Sequence, residues 1–242
     1  MHWRAWSLPK KGHRPDEYED AAAGDARRGR FAVADGASES SFAALWAWLL
    51  ACEFVRAPLG GKRPWSAWLP PLREHWAQEL VGRELPWYAE EKLQLGAFAT
   101  LLGLVVGKAR WRAVAVGDSC LFHLRTGRLL RAFPVSRSED FGNTPGLVGS
   151  RTPPPQEVEQ HQTRAQGKWQ PNDRFLLMTD ALAQWFLRQS EEGHKPWEAV
   201  GGLLDEAADD ADFASWVEGL REREALRNDD VTLVAVDLSV EA

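Results

Sequence analysis

Four aspartates in this chain stand where a short apolar run stops or begins. Asp35 follows Arg30 to Ala34, Asp118 follows Val114 to Val116, Asp180 follows Leu176 to Met178, and Asp229 precedes Val231 to Leu238. Carboxylates at the ends of neighbouring strands can converge on one rim of a sheet, and like charges held that close need cations or protons between them. A ligand set of hard oxygens, without His or Cys, selects Mg²⁺, Mn²⁺ or Ca²⁺ over zinc. Two such cations about 3.5 to 4 Å apart lower the pKa of a bridging water, so that hydroxide forms near neutral pH. Gly36, directly after Asp35, lets the backbone turn sharply and bring its carbonyl close to a cation. Taken singly, each aspartate also fits ordinary turn chemistry, because Asp-Gly and Asp-Asp are common at strand ends. The joint pattern is what points to a metal centre.

The elements that must position these carboxylates are read from periodicity. Trp3 to Leu8 alternates as an edge strand does, and the polar loop Pro9 to Asp20 ends in Glu19-Asp20. From Ser40 to Val55, Phe42, Leu45, Trp46, Leu49, Leu50 and Phe54 recur at helical spacing, with Ser38 or Glu39 as the start. A second helix is expected over Trp65 to Val81, packed antiparallel to the first. Gly96 to Val106, Arg110 to Val116, Leu121 to Leu124 and Arg128 to Phe133 read as an antiparallel meander with a turn at Thr126-Gly127. Ser136 to Pro155 is rich in Gly and Pro, and is either a flap beside the site or a plain connection. Glu157 to Gln166 alternates weakly, Phe175 to Met178 is a buried strand, and helices are expected over Ala181 to Gln189, Trp197 to Ala207 and Phe213 to Leu226. Strands and helices come in blocks, which favours an α+β fold of stacked layers over a doubly wound parallel sheet.

Composition bounds the class. At 242 residues, 44% hydrophobic and 26% charged, the chain matches one globular domain spanning 1–242, with 136–155 as its one candidate flap. A net charge of -6 argues against a nucleic-acid partner, which needs a concentrated basic surface. Met1 to Pro9 lacks both a signal-peptide core and the length of a membrane anchor, so a cytoplasmic, membrane-free protein is expected. Cys52 and Cys120 lie far apart without zinc-ligand spacing and read as buried thiols. The 13 tryptophans follow no fixed period and read as core or groove wall. His13, His75, His123, His161 and His194 do not cluster at ligand spacing, and the acidic run Asp205 to Asp212 reads as a charged helix end or turn. GxxxxGK[ST], HExxH and GxSxG motifs are all absent.

In collinear order, Glu19-Asp20, VADG at Val33 to Gly36, VGDS at Val116 to Ser119, MTD at Met178 to Asp180 and NDDVT at Asn228 to Thr232 resemble the metal-dependent phosphatase family usually called protein phosphatase 2C. The resemblance spans nearly the whole chain. It implies an α-β-β-α sandwich, two antiparallel sheets flanked by helices, and a metal-dependent serine/threonine phosphoprotein phosphatase that uses two Mn²⁺ or Mg²⁺ ions, with a third, weaker site in many bacterial members. By that resemblance Asp35 bridges the two metals, and the Gly36 carbonyl and Glu19 complete the second. Asp180 and Asp229 serve the first, Asp20 acts through a bound water, and Asp118 serves the third. Asp35, Asp180 and Asp229 are thus the catalytic set. The substrate implied is a phosphoserine or phosphothreonine protein opposing a Ser/Thr kinase, and the enzyme is expected to be a monomer.

The chain departs from the pattern at three places. Where the family places a phosphate-holding Arg four residues before its Glu, this chain has Pro15, and Arg14 one residue earlier is the candidate. Ala37 stands where many eukaryotic members carry a His, and Ala181 where a Gly is usual. Two other readings stay open on the residues alone: a silent domain that binds a phosphoprotein and regulates it, and a structural module whose acidic strand ends bind Ca²⁺.

Overall fold

Strands whose two faces are both apolar must be covered on both sides, and several segments of this chain have that pattern. Phe31 and Val33 join one apolar cluster while Ala32 and Ala34, alternating with them, join another. Phe175 and Leu177 are separated in the same way from Leu176 and Met178. Three cores result, and three cores require four layers.

The computed structural model describes residues 1–38, 40, 42–59, 63–82, 94–142, 145–203 and 209–238. Its strands are His2–Leu8 (β1), Ala21–Asp25 (β2), Arg30–Ala34 (β3), Phe98–Ala99 (β4), Leu101–Val106 (β5), Arg110–Val116 (β6), Cys120–Arg125 (β7), Arg128–Phe133 (β8), Val148–Gly149 (β9), Thr163–Lys168 (β10), Arg174–Met178 (β11) and Val231–Asp237 (β12). Its helices are Ala43–Arg56 (α1), Trp65–Gln78 (α2), Pro155–Gln160 (α3), Asp180–Glu191 (α4), Pro196–Leu203 (α5) and Asp210–Glu222 (α6). One antiparallel sheet has the order β1-β12-β11-β7-β8 and the other β10-β6-β5-β3-β2, with β4 and β9 as a separate pair. Phe31, Leu102, Leu104 and Trp111 of one sheet meet Leu121, Phe175, Val234 and Val236 of the other in the central core. Trp46, Leu50, Trp68 and Trp76 of α1 and α2 fill the outer core on the β3 side, and Trp185, Phe186, Phe213 and Val217 of α4 and α6 fill the one on the β11 side. The expected α-β-β-α sandwich is the observed fold.

Most expected elements fall within a few residues of their observed bounds. Helix α1 starts at Ala43 instead of Ser40, because Phe42 adopts a left-handed φ of 61° and the Ser40 hydroxyl bonds the Ala37 carbonyl. Glu39 and the end of the helix expected to reach Ala207 lie outside the described residues. Glu157 to Gln166 is corrected: its first part belongs to α3, entered through Pro154-Pro155, and only its second part to the strand β10. The stretch Ser136 to Pro155 contains the turn Ser138–Asp140 and strand β9, with 143–144 outside the described residues. In the acidic run, Asp209 caps α6 by accepting from the Ala211 and Asp212 N–H groups, and 205–208 lie outside the described residues. Cys120 is buried as expected, whereas Cys52 is only half-buried.

Candidate metal centre

Strand register carries all the singled-out carboxylates to one end of the sandwich. In one sheet Ala34 pairs with Ala21 and Leu101 with Val116; in the other Met178 pairs with Cys120 and Leu233, and Leu8 with Val231. Immediately beyond these ends come Glu19-Asp20, Asp35-Gly36, Gly117-Asp118, Thr179-Asp180 and Asp229-Asp230. Both sheets therefore contribute to one acidic rim.

The electrostatics of the rim record a shortage of positive charge. Burial pushes the Asp35 carboxyl well above the usual carboxylate range, and the charges of Asp20, Asp180, Asp118 and Asp229 push it further. Burial raises Asp20 to about 8 against the pull of the Thr232 hydroxyl, and raises Asp118 to about 7 with Asp180 adding to the rise. Asp180 is raised by burial and by Asp229 while Arg227 pulls it down, and Glu19 is raised by burial against its bond to Ser38. Among the described residues the Asp118 Oδ1 is buried without a hydrogen-bond partner.

Several residues of the rim are held by neighbours. Asp230 accepts from the Lys10 and Glu19 N–H groups, both at 2.8 Å, and so ties the N-terminal loop to β12. The Thr232 hydroxyl donates to Asp20 at 2.7 Å and also meets the Tyr18 hydroxyl, while its N–H donates to the Thr179 hydroxyl at 3.0 Å. Asp35 is held through its backbone, its N–H donating to the Thr100 hydroxyl and its carbonyl accepting from the Thr100 N–H. At Gly36 a Cβ would lie 2.5 Å from the Glu19 carbonyl oxygen and 3.0 Å from the Ala43 Cβ, so only glycine lets these backbones pass.

Arg227 is a resident cation that the sequence pattern does not reveal. Its Nη2 contacts Asp180 and lies 3.1 Å from Asp229. Among the described residues no three His, Cys, Asp or Glu side chains are grouped to enclose a metal as they stand. The carboxylates share a field, and two of them are turned to Arg227. The donor set is nonetheless what a hard cation needs: carboxylates and a carbonyl, an orphaned buried oxygen on Asp118, and acids whose raised pKa values an added positive charge would lower.

Arg14 does not join this rim. Its side chain is 73% exposed and pairs with Asp16 at 2.9 Å inside its own loop. Lys10 is the cation that faces the rim instead: its side chain is 17% exposed, and its ammonium donates to the Ser38 hydroxyl at 3.1 Å and lies 3.8 Å from Glu19. It borders a cleft of about 480 Å³ whose lining includes His13, Tyr18, Glu19, Ser38 and Phe42. No short motif marks Lys10, nine residues before Glu19 in sequence. Asp230 did have a signal, being adjacent to Asp229 within NDDVT. The 136–155 stretch reaches the same end of the molecule, since a Cβ at Gly117 would lie 3.0 Å from the Gly146 carbonyl oxygen.

A four-layer sandwich with an all-oxygen acidic rim across both sheets defines the class of metal-dependent phosphatases. Within that class, a family model described as protein phosphatase 2C matches residues 12–220, and the chain belongs to that family. It is a metal-dependent protein serine/threonine phosphatase that uses Mn²⁺ or Mg²⁺ and acts on phosphoproteins. A search among curated proteins finds no match to the sequence. Among solved structures, the catalytic domain of the serine threonine protein phosphatase PstP in complex with two manganese ions is similar at 19% identity and TM-score 0.62, covering 99% of this chain and 98% of that one. PppA, described as a regulatory component of a type VI secretion system in Pseudomonas aeruginosa, gives 20% identity and TM-score 0.57 over 98% and 97%. The phosphatase MsPP from Mycobacterium smegmatis, in complex with cacodylate, gives 16% and 0.56 over 99% of each chain. At these identities the structures speak for the fold.

Proposed function

We propose that the acidic rim is the catalytic centre, with Asp35 as the carboxylate shared by two cations, Glu19 and the Gly36 carbonyl on one of them, and Asp180 and Asp229 on the other. Asp20 acts through bound water, and Asp118 serves a third, weaker position. The observation that carries this reading is the meeting of Asp35, Asp20, Asp118, Asp180 and Asp229 in one field, where burial and mutual repulsion raise the carboxyl of Asp35. Cations held by these residues would supply a nucleophilic water near neutral pH and charge neutralisation for the phosphate. The chain's own part is positioning. Asp230 holds the Glu19 backbone, Thr232, itself met by the Tyr18 hydroxyl, holds Asp20, and the Lys10 ammonium offers a positive charge to the substrate phosphate at the mouth of the cleft.

The substrate in this reading is a phosphoserine or phosphothreonine protein in a signalling pair with a Ser/Thr kinase, handled by a monomer in the cytoplasm whose 242 residues form one catalytic domain. No helix among the described residues is long and apolar enough to cross a membrane, which is compatible with that setting. The segment 136–155 acts as a short flap over the Asp118 side of the rim. The test is hydrolysis of p-nitrophenyl phosphate and a phosphothreonine peptide with EDTA, Mg²⁺ or Mn²⁺ added in parallel. Turnover restored by Mn²⁺ is expected, and metal binding without turnover of either substrate would move the reading to a silent phosphoprotein-binding domain.

A further inference from the structure

The outer face of the β10-β6-β5-β3-β2 sheet is covered unevenly. Helix α1 packs against β2, β3 and β5, and toward β6 and β10 the face opens into a groove of about 430 Å³. Val105, Val114, Phe54 and Leu59 give it apolar walls, and Arg112, Arg131 and Arg164 line it as well. Register explains the grouping. Val105, Arg112 and Gln166 stand in one cross-strand row and Val114 and Arg164 in the next. Arg112 and Arg164 are therefore diagonal neighbours on one face, about 7 to 8 Å apart at the backbone. Arg131 comes from the edge of the other sheet, 3.5 Å from the Gln166 carbonyl and over the Trp111 ring.

These arginines differ from several others in the chain. Arg56, Arg63, Arg125, Arg137 and Arg174 each pair with a carboxylate. Among the described residues the side chains of Arg112 and Arg164 make no hydrogen bond or ion pair, and both residues are exposed, in a protein whose net charge is -6. Guanidinium groups gathered without acids repel one another until an anion arrives, and carboxylates fit them in bidentate fashion. The apolar walls suit the aliphatic stems of an extended peptide.

We propose that this groove docks an acidic stretch of the phosphoprotein substrate, beside the residue to be dephosphorylated; the choice of occupant rests on the phosphatase reading above. Arg112 lies four residues before Val116, the end of β6 at the acidic rim, which is about 13 Å along the strand. Val114 and Val116 are buried under the helices, so the peptide must pass around them, and an extended stretch of about eight residues spans well over 20 Å, longer than the strand distance. Docking then raises the local concentration of the phosphorylated residue at the rim without touching the chemistry. Substrates with an acidic flank gain a lower KM, and p-nitrophenyl phosphate gains nothing.

The experiment uses fluorescein-labelled octaglutamate and the full chain, read by anisotropy, with Arg112→Glu/Arg164→Glu and Arg112→Gln/Arg164→Gln beside the wild type and melting curves as the folding control. Binding weakened about tenfold or more in whichever of these variants folds supports the groove. Equal binding by wild type and variants, no binding by wild type, or displacement by an equally charged oligonucleotide as readily as by unlabelled octaglutamate would overturn it. Hydrolysis of p-nitrophenyl phosphate, measured in parallel, separates the two ideas: the groove stands if octaglutamate binding is lost on charge reversal even where the wild type shows no turnover, in which case it is the catalytic reading that falls.

Discussion

At the scale of single residues, Arg227 and Lys10 divide the rim's positive charge. Arg227 occupies Asp180 and Asp229, the two carboxylates assigned to one cation, so a metal ion must compete with it. A charge-assisted hydrogen bond is worth roughly 1.5–3 kcal/mol, partly offset here by the solvent exposure of the arginine, so Arg227→Ala should tighten Mn²⁺ binding by about three- to tenfold. Calorimetric titration decides the matter, and weaker Mn²⁺ binding in the variant would show that Arg227 organises the ligands instead of competing for them. Lys10 belongs to the substrate side. Lys10→Met should raise KM for a phosphothreonine peptide by about tenfold with a smaller change in kcat, whereas Arg14→Ala should stay within about twofold. A larger KM effect from Arg14→Ala than from Lys10→Met would return the phosphate to Arg14. Neither role was legible beforehand, because pairing in space across 47 residues for Arg227 and Asp180, or 28 for Lys10 and Ser38, leaves no local pattern. The aspartates were legible because each is anchored to the end of a strand that periodicity does reveal.

At the scale of elements, apolar runs identified the central strands and the long helices, and weaker patterns hid the rest. Strand β2 reads Ala-Ala-Ala-Gly-Asp, with no β-branched or aromatic residue to mark it, yet it pairs along its whole length with β3. Helix α3 hid inside an apparent alternation because it has only six residues, of which only Val158 is buried. Two positions show how elements are pinned. At Gly36 an added methyl would press on the Glu19 carbonyl and on Ala43 of α1, so Gly36→Ala should shift the Glu19-Asp20 loop, cut both Mn²⁺ affinity and kcat by about tenfold or more, and also lower the melting temperature of the EDTA-treated protein. Unchanged Mn²⁺ affinity would remove the close passage from the site. At the start of β11, Asp173 is fully buried and accepts from Arg125 at 2.7 and 2.8 Å, from the Gln170 N–H at 2.9 Å and, at 2.8 Å, from His123. Burial would raise its carboxyl, but the bonds from Arg125 and His123 win and hold it at about 2. Asp173→Ala strands a buried histidine and an arginine and should cost about 3–5 kcal/mol in urea unfolding. A loss below about 1 kcal/mol would show the cluster to be dispensable.

At the scale of the whole molecule, the acidic rim couples metal, pH and stability, because its carboxylates come from both sheets. Asp20 and Asp118 are held by burial at about 8 and about 7, above the value near 4 of an unfolded carboxylate. A raised folded pKa means that the native state binds more protons than the unfolded chain, so stability falls as pH rises from about 4 through 7 and 8. Asp173 works in the opposite direction, but its contribution is complete above the unfolded carboxylate range and is lost only as pH falls toward 2. In EDTA the melting temperature should therefore be highest near pH 5 and lower by about 5 °C or more at pH 8. Divalent cations need the same carboxylates ionised, so their stabilisation must run the other way: at 100 times its dissociation constant Mn²⁺ adds about 2.7 kcal/mol, and less at pH 5, where protons compete for the ligands. Differential scanning fluorimetry at pH 5 and pH 8, with EDTA or Mn²⁺, reads all four corners of this linkage. An EDTA melting temperature that climbs from pH 5 to pH 8, or a Mn²⁺ shift of equal size at both, would mean that the rim carboxylates are already ionised without metal and that the two sheets do not depend on a cation to hold their acidic ends together.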